Sequence, residues 1–126
     1  MDRESHLKKR AELLLAFLTQ DRLVKLRKDF HDEIDDDYLL LMQRCWKQIK
    51  REDGTLNAWE HVDYGEIEDF YYCDLRLFLH KERIYLTVYF DASNLKFESL
   101  SFGSKSIPKF REMELRDGYS ESPGEN

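Results

Sequence analysis

Apolar residues recur every three or four positions over the first fifty residues and every second position after Gly54. The first spacing belongs to helices buried along one stripe, the second to strands buried on one face. A first helix is predicted over about Arg3 to Leu18, with Leu7, Leu14 and Leu18 on the stripe, Ala11 and Leu15 beside it, and Lys8, Lys9, Arg10 and Glu12 in water. Thr19-Gln20-Asp21 breaks this pattern. Asp21 reads as the N-cap of a short second helix carrying Leu23, Leu26 and Phe30. A third helix is predicted over about Tyr38 to Arg51, with Leu39, Met42, Trp46 and Ile49 inward. The Asp35-Asp36-Asp37 run before it fits capping and the helix dipole. It lacks the alternating oxygens, central Gly and distal Glu of a calcium loop. Lys47, Lys50 and Arg51 suit the last turns, and Gly54 stops the helix.

Strands follow at Leu56 to Tyr64, punctuated by Gly65, then at Ile67 to His80, Ile84 to Phe90 and Leu95 to Phe102. In the long strand Tyr71, Cys73, Leu75, Leu77 and Leu79 share one parity, and Phe70, Tyr72, Asp74, Arg76 and Phe78 share the other. The return strand sets Ile84, Leu86, Val88 and Phe90 against Tyr85, Thr87 and Tyr89. Asn94 is the expected left-handed residue of the last turn, and a bulge near Glu98-Ser99 would reconcile the mixed parity of the final strand. Helices first and strands second predict an α+β fold, with N-terminal helices packed on a curved antiparallel sheet.

The second face of that sheet is too aromatic to stay in water as one patch. Phe70, Tyr72, Arg76, Tyr85 and Tyr89 are therefore the expected interface of a homodimer, a twofold pair being the commonest oligomer. A bowed sheet over helices also encloses a wedge. If hollow, it is a pocket for a small apolar ligand, with Trp46, Tyr64 and Phe78 as lining.

Composition narrows this picture. The chain has 126 residues and a formal charge of −6, which opposes nucleic-acid backbone binding. The acids Glu66, Glu68, Asp69 and Asp74 also oppose base stacking on the aromatic face, whatever Arg76, Lys81 and Arg83 offer. The longest apolar run, Leu13 to Leu18, is far short of the roughly 20 residues that span a bilayer. With no apolar leader and only Cys45 and Cys73, a reduced cytoplasmic protein is expected, without membrane attachment. Residues 1–102 read as one domain and 103–126 as an extension, in which Ile107, Phe110, Met113 and Leu115 are candidates to dock and the end from Gly118 is expected to be disordered.

The stretch Ala16-Phe17-Leu18-Thr19-Gln20-Asp21 ahead of Leu26 and Phe30 resembles the entry helix and first break of the nuclear transport factor two-like superfamily. Trp46 followed by Gly54, and Leu86-Thr87-Val88-Tyr89-Phe90-Asp91 running through a turn into Phe97 to Phe102, resemble it as well. The likeness covers about Leu13 to Phe102 and is nearest to small bacterial members of unknown function. It implies a cone-shaped, cystatin-like architecture. Asn94 departs from it, standing where a Gly is usual. The superfamily holds isomerases, dehydratases, cyclases and many non-enzymes, so the fold carries no function with it.

Two sets of residues have catalytic chemistry. Asp74 as a general base with Tyr72, Tyr85 or Tyr89 as oxyanion donor would suit a proton-transfer isomerase or lyase. His61 and Asp63, at i and i+2, are expected on one side of a strand, where the carboxylate would orient the imidazole. Against these stand a cross-strand ion pair of Asp74, tyrosines serving as contacts, and solvated histidines at His6, His31 and His80. Cys45 and Cys73 read as small buried apolar groups. No metal motif, phosphate loop or dinucleotide fingerprint is present, so no metal and no cofactor are expected. A non-catalytic module that binds a small ligand or a protein is the favoured expectation.

Overall fold

A computed structural model describes residues 2–104 of the chain. Helix α1 spans Arg3–Thr19, a 3₁₀ segment spans Leu23–Asp29 and helix α2 spans Asp36–Asp53. Strands β1 (Leu56–Ile67), β2 (Phe70–Leu79), β3 (Arg83–Asp91) and β4 (Phe97–Gly103) follow. They form one antiparallel sheet in chain order, β1-β2-β3-β4. This is the expected α+β fold with a curved, open sheet. No helix among the described residues is long and apolar enough to cross a membrane. The extension from residue 105 lies outside the described residues.

The helix starts are capped as the physics of free N–H groups requires. The Asp2 carboxylate accepts from Ser5 N at 2.8 Å, and that of Asp35 accepts from Tyr38 N at 3.1 Å. Gly54 ends α2 at φ +94°, where a side chain would meet His80 Cβ at 2.6 Å.

The second helix departs from expectation. Its inward residues, Leu23 and Leu26, are three apart, which suits three residues per turn, and it winds as 3₁₀. Asp21 does not cap it. Asp21 takes a left-handed backbone (φ 62°), and its carboxylate reaches Lys47 Nζ at 3.1 Å. The free N–H of Leu23 is met instead by Gln43 of α2, whose Oε1 accepts it at 3.0 Å while Nε2 donates to Leu18 O at 2.8 Å. One buried amide thus serves both sides of the chain reversal.

Gly65 does not end β1. The strand runs on to Ile67, and the turn falls at Glu68, which takes φ 55°. In the last hairpin Leu95, not Asn94, is left-handed (φ 61°), and Asn94 acts through its side chain, accepting from Lys96 N at 2.9 Å. The bulge in β4 is where the parity required it. Tyr89 pairs with Ser99 and Phe90 with Phe97, leaving Glu98 without an opposite residue. Strand β1 has two breaks of its own, with Asn57 unpaired between Leu56 and Ala58 and Val62 unpaired between His61 and Asp63.

The core lies between the helices and the Cys73, Leu75, Leu77, Leu86, Val88 and Phe90 side of the sheet. Leu7, Leu14, Leu18 and Leu39 fill it from the helices, and Trp46 lies against Phe102 with ring centroids 6.2 Å apart. Trp46 Nε1 is buried there without a hydrogen-bond partner.

Candidate functional site

The opposite face of the sheet gathers the second parity of every strand. The register sets Asp63 opposite Asp74, Gly65 opposite Tyr72, Tyr72 opposite Tyr89, Asp74 opposite Thr87 and Arg76 opposite Tyr85. All five expected interface residues, Phe70, Tyr72, Arg76, Tyr85 and Tyr89, therefore share this face. Four of them are half-buried, and Tyr72 is buried.

Polar groups on this face are bound to one another. Tyr72 Oη donates to Asp63 Oδ2 at 2.8 Å. Gly65 makes room for that ring, since a Cβ there would lie 2.9 Å from Tyr72 Oη. Burial, then the hydrogen bond and charge of Asp63, push the Tyr72 phenol well above its ordinary pKa. Asp74 is fully buried, with Thr87 Oγ1 donating to its Oδ1 at 3.1 Å. The Arg76 guanidinium lies 5.5 Å over the Tyr85 ring, donates to Tyr85 Oη at 3.3 Å and pairs with Glu60.

His61 and Asp63 are not on one side. The Val62 bulge puts His61 on the core parity opposite Leu75 and Asp63 on the outer parity opposite Asp74. His61 meets α1 instead, with Nε2 2.8 Å from Glu12 Oε2. A carboxylate-held imidazole is the arrangement of a general base, but His61 Nδ1 is buried with no partner, so the nitrogen that would take a proton is sealed. Asp74 is likewise enclosed, and Tyr72 already spends its proton on Asp63.

Trp46, Tyr64 and Phe78 do not meet around one space. Trp46 belongs to the core, and Tyr64 stacks on Tyr71 at 6.3 Å on the same side of the sheet. Phe78 is on the outer parity, beside Tyr85 and Arg83 in a surface depression. Cys73 is buried, and burial pushes its thiol up to about 12. Cys45 is half-buried.

Sequence reasoning missed two things. Gln43 sits on the buried stripe between Leu39 and Trp46, and an amide at such a position was the available signal. His31, Asp91 and Glu98 bring one ligand atom each to within 4.8 Å of one another at the end of the sheet. Their separation along the chain gave no spacing motif that could have revealed them. No family model, no characterised protein and no solved structure matches this chain.

Proposed function

We propose that the chain is a non-catalytic binding module that pairs with a second copy of itself through the outer face of its sheet. The observation that carries this reading is the aromatic and hydroxyl surface of Phe70, Tyr85, Tyr89 and Phe78 on the side opposite the helical core, which keeps its aromatic rings partly in water. Glu60 and Arg76 supply opposite charges at one level of that face. A twofold axis passing between them would set each against its opposite.

The filled interior supports a protein partner over a small ligand, because Trp46 and the leucines occupy the space that a ligand chamber would need. An isomerase or lyase site is disfavoured by the same geometry: both carboxylate candidates are already hydrogen-bonded, and the imidazole's second nitrogen is closed off. The order of helices and strands is in keeping with the nuclear transport factor two-like resemblance, and the free thiols of Cys45 and Cys73 with a cytoplasmic setting.

Light scattering at tens of micromolar should return twice the 15.3 kDa chain mass, and Tyr85→Glu should return a folded species of half that mass. A wild-type chain that stays monomeric refutes the reading, as does a dimer indifferent to Tyr85→Glu. An extension folded back over the face would show as the monomer.

A further inference from the structure

We infer that His31, Asp91 and Glu98 form a binding site for a divalent first-row transition ion of the zinc or manganese kind. Three separate elements deliver the ligands, and each is placed by its own backbone. His31 follows Phe30, which bridges to Phe97, and His31 N donates to Phe97 O at 2.8 Å, so the connector before α2 is tied to β4. Asp91 ends β3, and its Oδ1 accepts from Ser93 N at 2.8 Å and Ser93 Oγ at 2.7 Å. That leaves Oδ2 turned to His31 Nε2 at 3.7 Å. Glu98 is the unpaired residue of the β4 bulge, a feature that re-aims a side chain out of the ladder.

The donor set selects the ion. One imidazole and two carboxylates suit zinc, manganese or iron, whereas calcium takes oxygen alone. Donors about 2 Å from a tetrahedral ion lie roughly 3.3–3.5 Å apart. The His31–Asp91 pair, at 3.7 Å, is close to that, and Glu98, half-buried on its bulge, brings its carboxylate within 4.8 Å of both. The three line a depression of about 610 Å³ shared with Glu33 and Asp69. Among the described residues neither of those acids, nor Glu98, has an ion-pair partner, and the nearby Lys96 is engaged with Asp32 at 3.3 Å. The surroundings therefore favour a cation.

The imidazole must change its proton to take part. Glu33 N donates to His31 Nδ1 at 3.3 Å, which leaves the ring proton on Nε2, facing Asp91. When the ion takes Nε2, that proton moves to Nδ1, and the long Glu33 contact gives way with its N–H turning to water. Glu33 is exposed, so the exchange is open to solvent. The backbone amide of Glu33 thereby becomes a reporter that no other histidine shares.

The test uses the full chain, zinc as the probe and calorimetry with amide NMR. One equivalent should bind in the micromolar range, with the Glu33 amide among the largest shifts. His31→Gln and Glu98→Gln should each weaken binding at least about tenfold, while His61→Gln leaves it unchanged. Glu98→Gln keeps the shape of a half-buried side chain, so it also guards against a variant that fails to fold. Lack of saturable binding by about 0.5 mM zinc overturns the site, as does binding indifferent to both variants, a silent Glu33 amide, or calcium bound as tightly as zinc. These readouts do not depend on oligomeric state, so the dimer reading and the metal site fail separately.

Discussion

Trp46 offers an unusual pair of outcomes. Its indole is 2% exposed, stacked on Phe102, and its Nε1 is buried with no acceptor. A tryptophan buries roughly 150–250 Å². At about 25 cal/mol per Å² this stabilises by roughly 4–6 kcal/mol. The orphaned N–H costs about 1–3 kcal/mol of that. Trp46→Ala should therefore lose about 3 kcal/mol, at the low end for truncating a large aromatic. Trp46→Phe keeps the ring against Phe102, forfeits roughly 1–2 kcal/mol of area and removes the unanswered donor. It should fall within about 1 kcal/mol of wild type. Urea unfolding followed by far-ultraviolet circular dichroism, which needs no tryptophan signal, gives both values from the midpoint and slope. A phenylalanine variant weakened by more than about 2 kcal/mol would refute the reasoning, because it would mean that Nε1 is satisfied, for instance by an ordered water.

Gln43→Leu keeps the volume of the side chain but strands Leu23 N–H, at about 1–3 kcal/mol, while Leu18 C=O still accepts from Asp21 N at 3.2 Å. A loss of about 1–3 kcal/mol in the same urea assay is expected, and a near-neutral variant would show that Leu23 N–H does not depend on the amide. Cys73, its thiol raised to about 12, should resist a thiol reagent until the chain unfolds. Because the folded thiol has a higher pKa than the unfolded one, the fold keeps a proton that the unfolded chain releases. The stability contribution is whole below the ordinary thiol value of 9.0 and drains away as pH rises to about 12. Replacing Cys73 by Val should flatten that alkaline decline, and a wild-type stability curve level across the window would contradict it.

Periodicity made most of this architecture readable. The leucine stripe of α1, the Leu39 to Trp46 stripe of α2 and the aliphatic parity of β2 and β3 are all core in the structure, because burial of a regular face leaves a regular trace. Even the β4 bulge could be read, since Phe97 and Leu100 are both buried yet an odd number of residues apart, which a regular strand does not allow. The bulge at Val62 in β1 could not. His61 and Asp63 are polar, so neither parity was marked, and one extra residue moved the imidazole to the other side of the sheet. The cap on the 3₁₀ segment was hidden for a different reason. Asp21 is the better local acceptor, but Gln43 reaches Leu23 from twenty residues away, and long-range contacts of this kind leave no local signature. The same holds for His31, Asp91 and Glu98, which only the folded chain assembles.

The three breaks in register all fall in the two outermost strands, two in β1 and one in β4. An edge ladder is a template on which identical chains stack strand upon strand into fibrils. A kink midway along β1 and another near the start of β4 break the even run of N–H and C=O groups that such growth needs. The molecule is thereby steered away from open-ended polymerisation at both flanks, a safeguard against insoluble deposits written into its backbone rather than its surface charge.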